Sequence, residues 1–210
     1  EIGSGLVGSE MCIRDRSFVI TIGRQYGSGG RFIGKKLAEL LGVNFYDNKL
    51  ITTAATQSGL SKAVLDNYDE KKDGFFTGVV PSSFGADMSL SQKVFLAQFE
   101  AIKAIADRES CVIVGRCADY VLRENPNVVN IFITAPIEAR VERAVKYYNL
   151  DTKKAKETIL KMDKKRASYY NFYSDKKWGR AESYNLTIDS SVGIAVSYTH
   201  LRAHETGAYL

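Results

Sequence analysis

The feature that most constrains the fold of this chain is a glycine-rich loop that directly follows a short β-branched run. Residues 17–22 read Ser-Phe-Val-Ile-Thr-Ile, and the loop GRQYGSGGR occupies residues 23–31. A helical apolar pattern then runs from Arg31 to Leu41 and stops before Gly42. A strand, a glycine loop and a helix in this order let backbone N–H groups surround a phosphate at the helix N-terminus. The sequence therefore predicts a phosphate-binding loop.

The loop departs from a complete P-loop at its last positions. A complete P-loop ends in Gly-Lys-Ser/Thr, whose lysine reaches the β- and γ-phosphates and whose hydroxyl binds magnesium. Here Gly30 occupies the lysine position and Arg31 follows it, so Arg31 is the cation expected to replace the lysine. A dinucleotide-binding loop would need glycine at position 32, where the chain has Phe32, and that alternative is disfavoured. A plain glycine-rich turn without a ligand is the structural alternative.

Apolar runs of strand length alternate with helical patterns along the rest of the chain. Strands are predicted at 43–46, 111–114, 128–134 and 184–188. Helices are predicted as two short segments within 48–72, the second after Ser61, at 89–107, after Pro136 and at 151–172. Residues 73–88 are predicted to form a mobile loop. Strands that alternate with helices favour a three-layer α/β fold with a parallel sheet.

Both ends of the chain differ from the part between them. Residues 1–16 and 196–210 show no helical or strand periodicity, and both contain stretches that resemble translated sequencing-adapter peptides. We therefore expect them to be non-native flanks of a domain that covers residues 17–195. Flexible natural termini are the alternative. Both histidines, His200 and His204, lie in the C-terminal flank, so we expect a mechanism without histidine.

Composition limits the environment and the partners of the chain. The three cysteines have no metal-ligand spacing, and no stretch is long and apolar enough to span a membrane. These features predict a cytoplasmic protein with reduced cysteines, no metal held by its side chains and no membrane contact. The net charge of +5 comes with several runs of adjacent lysines and arginines. A single run of this kind is typical of a solvated helix face. Together the runs suit a polyanionic small ligand such as a nucleotide, and they suit a nucleic acid less well.

Charged residues also follow a predicted strand or lie on predicted helices. Arg116 comes directly after the strand 111–114, at the edge where α/β sheets bind ligands, and an arginine there can hold a phosphate in bidentate fashion. A surface arginine without a ligand is the alternative. Arg143 lies on the helix after the next strand. Asp163 and Arg166 share one helix face, which suits either an intrahelical ion pair or a ligand contact.

The motifs of the chain occur in a characteristic order. They are the loop GRQYGSGGR, Tyr46-Asp47, the stretch GRCADYVL after Val114, Phe132-Ile-Thr-Ala-Pro136, Asp163-x-x-Arg166 and Ile188-Asp189-Ser190-Ser191. In order and spacing this set resembles the cytidylate kinase-like family over about residues 17–195. The resemblance implies a P-loop kinase fold with a five-stranded parallel sheet, a helical monophosphate-binding segment near 46–100 and a helical lid near 147–180.

The resemblance also implies a reaction and assigns roles to individual residues. The reaction is transfer of the γ-phosphoryl group of ATP, with Mg²⁺, to a nucleoside monophosphate, of which CMP and dCMP are the first candidates. The implied ATP-binding residues are Gly27, Ser28, Gly29, Gly30, Arg31 and Phe32. The implied catalytic residues are Arg31, Arg116, Arg143, Asp163 and Arg166, and the implied acceptor-binding residues are Asp47, Arg116 and Asp119. Phosphoryl transfer needs mainly positioning and charge neutralisation, which arginines and magnesium can supply.

The chain departs from the family pattern at three positions. Gly30 replaces the loop lysine, Ile159 replaces a lid arginine, and Cys117 replaces the aspartate after the acceptor arginine, with Asp119 two residues further on. A kinase is therefore one functional hypothesis, and a nucleotide-binding regulatory module without turnover is the other. A nucleic-acid binder that uses the basic region 146–177 is a third and weaker hypothesis.

Overall fold

A five-stranded parallel sheet is the centre of the fold in the computed structural model, which describes residues 17–57 and 90–207. The strands are β1 (Val19–Arg24), β2 (Asn44–Tyr46), β3 (Cys111–Val114), β4 (Val128–Thr134) and β5 (Leu186–Asp189). Their order across the sheet is β2-β3-β1-β4-β5. The predicted α/β fold is therefore confirmed, and every predicted strand overlaps an observed one.

Helices connect and cover these strands in the described residues. They are α1 (Gly30–Leu41), α2 (Asn48–Gln57), α3 (Leu90–Arg108), α4 (Ala118–Val121), α5 (Ile137–Tyr148), α6 (Thr152–Tyr173) and α7 (Ile194–Gly207). Short 3₁₀ turns at Ala181–Ser183 and Ser190–Val192 flank β5. The helices predicted at 89–107, after Pro136 and at 151–172 are confirmed, whereas the helix after Ser61, the loop 73–88 and residues 1–16 lie outside the described residues. None of the described helices has the length and apolar character needed to cross a lipid bilayer.

The sheet separates two apolar layers because successive side chains of a strand point to opposite faces. Ile20 and Ile22 of β1 belong to a buried cluster with Ile33 and Leu37 of α1. Val19 of β1 belongs instead to a second cluster, which includes residues of α2 and α3. Helices thus cover both faces of the sheet, which gives the three-layer arrangement that the alternating pattern predicts.

Parallel register brings the ends of the central strands to one edge. In β1, Ile22 pairs with Val114 of β3, and Arg24 pairs with Ile133 of β4. The glycine loop after β1, the turn after β3 and the end of β4 therefore lie side by side. Open α/β sheets bind their ligands at this carboxyl edge.

The C-terminal residues form a helix that the sequence analysis did not predict. Helix α7 packs against α1, and Leu201 is buried in the same apolar layer as the α1 side chains. Ile194, Tyr198 and Leu201 recur at four- and three-residue intervals and supply this contact. The interpretation of residues 196–207 as lacking helical periodicity is therefore wrong, whereas their interpretation as a non-native flank stays a prediction.

Candidate phosphate-binding site

The glycine loop between β1 and α1 leaves backbone N–H groups available for a ligand. The N–H groups of Gly27, Gly29 and Gly30 donate to no acceptor within residues 17–57 and 90–207. The Tyr26 N–H, by contrast, donates to Asp163 Oδ1 at 2.6 Å. Gly29 precedes the first turn of α1 with a left-handed φ of 78°. The unpaired N–H groups thus lie at or near a helix N-terminus, whose dipole favours an anion.

Polar residues of the loop anchor it to the neighbouring strands. Gln25 Oε1 accepts hydrogen bonds from Thr134 Oγ1 at 2.6 Å and from the Ala135 N–H at 3.0 Å. Ser28 is buried, and its N–H and hydroxyl both donate to the carbonyl oxygen of Gln25. The Ser28 carbonyl oxygen accepts from Ser190 Oγ at 2.6 Å. Ser28 therefore stabilises the loop, and its predicted contact with ATP stays a prediction.

Arg143 of α5 donates to protein acceptors around the loop. Its Nη1 lies 3.3 Å from the carbonyl oxygen of Ser28 and 2.9 Å from Ser190 Oγ. Its Nη2 donates to the carbonyl oxygen of Ser190 at 2.6 Å. These bonds join α5, the glycine loop and the turn after β5. The structure thus gives Arg143 a positioning contact, and its catalytic role stays a prediction.

Asp163 of α6 joins two helices to the loop. It is buried and forms an ion pair with Arg140 of α5. Its other carboxylate oxygen accepts from the Tyr26 N–H, and Arg140 Nη1 lies 3.5 Å from the Tyr26 carbonyl oxygen. The described hydrogen bonds of Asp163 are therefore all with protein groups, and its catalytic role stays a prediction.

Arg166 lies three residues after Asp163 and contacts the loop from the same helix. Its Nη1 donates to the carbonyl oxygen of Arg24 at 3.0 Å, and its guanidinium carbon is 5.4 Å from the centre of the Tyr26 ring. Burial lowers the pKa of Arg166, while the charge of Asp163 acts in the opposite direction. Its Nε and Nη2 donate to no described residue, so they are available for a ligand.

Arg31 is paired with Asp47, the residue that precedes α2. Arg31 Nε and Nη2 donate to Asp47 Oδ2 at 2.9 and 2.7 Å, and Oδ1 accepts from the N–H groups of Lys49 and Leu50. Burial opposes ionisation of Asp47, but these hydrogen bonds outweigh it and lower the pKa of the carboxyl. The Arg31 side chain is 62% exposed, and the neighbouring Phe32 is exposed as well. The cation predicted to replace the lysine is thus exposed and already paired.

Arg116 lies in a turn of unusual backbone conformation after β3. Gly115, Arg116 and Cys117 have φ values of 85°, 59° and 53°, in the left-handed region that residues with side chains rarely adopt. Arg116 Nε donates to Asn48 Oδ1, and the guanidinium carbon lies 5.6 Å from the centre of the Tyr169 ring. Backbone strain of this kind concentrates at functional sites. Within the described ranges Arg116 has no carboxylate partner, which suits the predicted acceptor contact.

Asp119 lies on α4, behind the turn that carries Arg116. It is buried and accepts a hydrogen bond from the Tyr170 hydroxyl of α6 at 2.5 Å. Burial raises the pKa of Asp119, although the hydrogen bond from Tyr170 acts in the opposite direction. The carboxylate thus holds α6 against α4, and its predicted contact with the acceptor stays a prediction. Burial also raises the pKa of the Cys117 thiol to about 12, so the thiol is protonated at neutral pH.

Arg24, the last residue of β1, is a residue of this edge that the motifs and their spacing do not predict. Its side chain crosses the start of α1 and ends at the turn after β3. A Cβ on Gly30 would lie 2.6 Å from Arg24 Cβ, and a Cβ on Gly115 would overlap Arg24 Nη1. The guanidinium forms no hydrogen bond or ion pair with any residue that the structure describes. The sequence signal that points to it is an arginine inside a loop whose lysine position holds glycine.

Four arginines, which we call the arginine cluster (Arg24, Arg31, Arg116 and Arg166), gather at the carboxyl edge of the sheet. Burial and the charges of the other three lower the pKa of Arg24, and Asp47 acts in the opposite direction. Like charges repel in this arrangement unless an anion lies between them. Phosphate and polyphosphate are anions that guanidinium groups and free N–H groups bind well.

The described side chains near the arginine cluster do not form a metal-binding site. No group of three or more His, Cys, Asp or Glu residues lies together in the described parts of the chain. A magnesium ion at this edge would therefore take most of its ligands from the phosphates and from water. The geometry thus favours a nucleotide site in which the protein neutralises charge mainly through arginines.

Known proteins resemble this chain in sequence and in structure. A cytidylate kinase from Methanopyrus kandleri is 25% identical over 181 residues, which cover 83% of this chain and 86% of the relative. The structure of an uncharacterized protein from Eubacterium ventriosum matches with a TM-score of 0.70 and 29% identity, covering 90% of this chain and 98% of the other. A shikimate kinase from Bacteroides thetaiotaomicron matches with a TM-score of 0.54 and 16% identity over 90% and 98% of the two chains, which shows a shared fold alone.

The family match covers the whole described site. The model of the cytidylate kinase-like family matches residues 19–192, a range that includes all five strands, the glycine loop and the arginine cluster. This match confirms the resemblance that the ordered motifs indicate, and the neighbouring structures confirm the P-loop kinase fold. The chain therefore belongs to the cytidylate kinase-like family.

Proposed function

We propose that this protein transfers the γ-phosphoryl group of ATP to a nucleoside monophosphate, with CMP or dCMP as the first candidates. The observation that carries the proposal is the arginine cluster beside the unpaired N–H groups of the glycine loop. A donor triphosphate and an acceptor monophosphate bring several negative charges together, and such a cluster would neutralise them. The family and the similarity to the Methanopyrus kandleri cytidylate kinase support the choice of acceptor.

In this proposal the glycine loop binds the donor. The N–H groups of Gly27, Gly29 and Gly30 hydrogen-bond to phosphate oxygens, and the N-terminus of α1 adds positive potential. Arg166 is held against the loop by the carbonyl oxygen of Arg24 and has donors left for the same phosphates. Magnesium bound to the phosphates supplies further neutralisation of charge when it is present.

Arg116 is the proposed ligand of the acceptor phosphate. Its guanidinium is oriented by Asn48 on one side and by the ring of Tyr169 on the other. An oxygen of the acceptor phosphate attacks the γ-phosphorus, the bond from that phosphorus to the β–γ bridging oxygen breaks, and ADP leaves with the bond electrons. The arginines act where negative charge accumulates, on the transferred group and on the leaving oxygen.

A nucleotide-binding regulatory module is the second candidate function. The observation that favours it is Gly30, which leaves the loop without its usual lysine. Loss of one preorganised charge contact of this kind costs about 3 to 4 kcal/mol of transition-state stabilisation. Such a module would bind nucleotides at the same loop and release no ADP.

An ADP-release assay on the full chain tests the two candidates. The chain is incubated with ATP, Mg²⁺ and each of CMP, dCMP, UMP, AMP and GMP, and thermal unfolding is measured with the same ligands. We expect ADP release that is fastest with CMP or dCMP. Stabilisation by nucleotides without ADP release for any acceptor would favour the regulatory module, and absence of both effects would contradict both candidates.

Two arginine variants make this assay specific for the site. Arg116→Gln removes a charged hydrogen-bond donor, so we expect the KM for the acceptor to rise about 10- to 100-fold. Arg123→Gln is the matched control, because Arg123 lies just beyond α4, packs on Tyr120 and pairs with the exposed Glu124. Equal KM values in the two variants would exclude Arg116 as the acceptor ligand.

A further inference from the structure

We propose that Arg24 supplies the positive charge that a lysine supplies in a complete P-loop, and that its guanidinium binds the phosphate chain held by the glycine loop. The inference rests on the proposed function, because it concerns the same nucleotide site. It transfers to Arg24 the role that the sequence analysis gave to Arg31. Three independent features of the structure support it: the space at position 30, the position of the guanidinium and the distribution of charge partners.

The space that a lysine at position 30 would need is occupied by Arg24. A Cβ on Gly30 would lie 2.6 Å from Arg24 Cβ and 3.1 Å from Arg24 Cγ. The distance of 2.6 Å is shorter than the contacts that Cβ atoms make in real proteins. Gly30 does not have a left-handed φ, so its backbone conformation would accept a side chain. The side chain of Arg24 is therefore the main obstacle, and positions 24 and 30 together provide one cation.

The guanidinium of Arg24 lies between the two proposed phosphate sites. The side chain starts beside Gly30, where the donor loop enters α1, and ends at Gly115, next to the proposed acceptor ligand Arg116. Gly115 leaves the space for it, because a Cβ there would overlap Arg24 Nη1. A phosphoryl group that moves from donor to acceptor passes between these two sites, so Arg24 is placed where the charge of that group must be neutralised.

The charge partners distinguish Arg24 from Arg31. Arg31 already donates two hydrogen bonds to Asp47 and is 62% exposed. The guanidinium of Arg24 is partly buried and has no acceptor among the described residues. Repulsion from Arg166 and Arg116, added to burial, lowers the pKa of Arg24, and a bound polyphosphate would relieve that repulsion. Arg24 should therefore contribute more to the free energy of anion binding than an exposed arginine that is already paired.

Binding of inorganic tripolyphosphate, measured by calorimetry on the full chain without ATP, tests the inference. This probe needs neither base recognition nor turnover, so its result does not depend on whether the protein is a kinase. We expect Arg24→Gln to weaken binding about 10- to 100-fold, Arg31→Gln to weaken it less than about 3-fold, and the control Arg123→Gln to leave it unchanged. Unchanged affinity in a folded Arg24→Gln variant, or a larger loss in Arg31→Gln, would overturn the inference.

A charge exchange between positions 24 and 30 provides a second test. Gly30→Lys alone places a Cβ against Arg24, whereas Arg24→Gly with Gly30→Lys removes the obstacle and restores a lysine at the usual position. We expect the double variant to bind tripolyphosphate at least about 5-fold more tightly than Arg24→Gly alone, since a charged hydrogen bond is restored. No gain in a folded double variant would contradict the equivalence of the two side chains.

Two further measurements keep the outcomes separate. Thermal unfolding establishes which variants fold, and Arg24→Lys, which retains a charge in the same place, replaces Arg24→Gln if that variant does not fold. Arg24→Lys is then expected to bind more weakly than wild type because it lacks the planar pair of donors. ADP release tests only the proposed function. A protein that binds tripolyphosphate through Arg24 but releases no ADP would therefore refute the proposed kinase activity and leave the inference about Arg24 intact.

Discussion

The arginines of helix α5 and those of the sheet edge differ in what surrounds them. Arg140 is buried against Asp163, and Arg143 donates to two carbonyl oxygens and a hydroxyl. At the sheet edge, in contrast, the Arg24 guanidinium has no acceptor among the described residues, and Arg116 donates to the side-chain oxygen of Asn48. We infer that the supply of acceptors, and not the residue type, separates an arginine that holds the fold from one that we propose to bind a ligand. Substitutions in the first set should therefore lower stability, and substitutions in the second should lower binding.

The largest expected effect is on the buried ion pair. Asp163→Ala leaves Arg140 buried without its counterion and the Tyr26 N–H without its acceptor, so we expect the free energy of unfolding to fall by about 3 to 5 kcal/mol. Urea denaturation of the ligand-free protein measures this loss in the free energy of unfolding. The control is Glu39→Ala, which breaks an exposed pair with Lys36 and should cost no more than about 0.5 kcal/mol. Similar losses in the two variants would contradict the role of the buried pair in supporting the fold.

The second effect is on the arginine that holds the loop. Arg143→Met removes the donors for the carbonyl oxygens of Ser28 and Ser190, so we expect a loss of about 1.5 to 3 kcal/mol in the free energy of unfolding. Arg123→Met is the matched control at an exposed position. Hydrogen exchange at the bonded loop N–H groups of Tyr26 and Ser28 should also become faster, because the loop loses its anchor. A variant as stable as wild type would place Arg143 with the ligand-binding arginines.

A smaller effect of opposite sign is expected for the arginine cluster. Arg24→Gln removes one of several mutually repelling charges, so the ligand-free protein should be as stable as wild type or more stable by up to about 1 kcal/mol. The difference should diminish in high salt, which screens the repulsion. Urea denaturation of both proteins at low and at high salt measures this difference in stability. A loss above about 2 kcal/mol would show that Arg24 supports the fold, as Arg143 does.

The smallest effect concerns the pH dependence of stability. Burial raises the pKa of Asp119 above its ordinary value of 3.8, so the folded state binds a proton more tightly than the unfolded state does. The wild type should therefore gain stability relative to Asp119→Asn as the pH falls from the raised pKa towards 3.8. The asparagine still accepts a bond from Tyr170, so both proteins should fold at neutral pH. Stability curves with a constant difference across this range would contradict the raised pKa.

Local patterns were sufficient to predict most of the fold. The strands at Cys111–Val114 and Val128–Thr134 agree with the predicted ranges because each is a short apolar run in a buried parallel sheet. The same reasoning failed for α7, where only Ile194, Tyr198 and Leu201 mark the buried face. Three apolar positions in a stretch of mixed composition are too few for periodicity alone to identify a helix.

The candidate site was predictable only in part. The order of the motifs predicted Arg116 and Arg166 as site residues, and for Arg116 the end of a predicted strand did so as well. In the structure both arginines lie near the glycine loop or the end of β1. The partners of Arg143 and Asp163 were not predictable, since they are backbone and side-chain groups brought together by tertiary folding. Arg24 was missed because the position of its side chain depends on the space left by Gly30 and Gly115, which no spacing rule describes.

Helix α6 has a mechanical consequence that follows from its contacts. Within about two turns it contacts the loop through Asp163 and the end of β1 through Arg166. In the same stretch Tyr169 contacts Arg116, and Tyr170 donates to the Asp119 carboxylate of α4. A helix is stiff over this length, so the four side chains that make these contacts move together as one rigid body. Rotation of α6 about its ends would thus change the contacts of the glycine loop and of Arg116 in the same step. Under the proposed function, α6 would thereby connect the donor site to the acceptor site without a separate hinge for each.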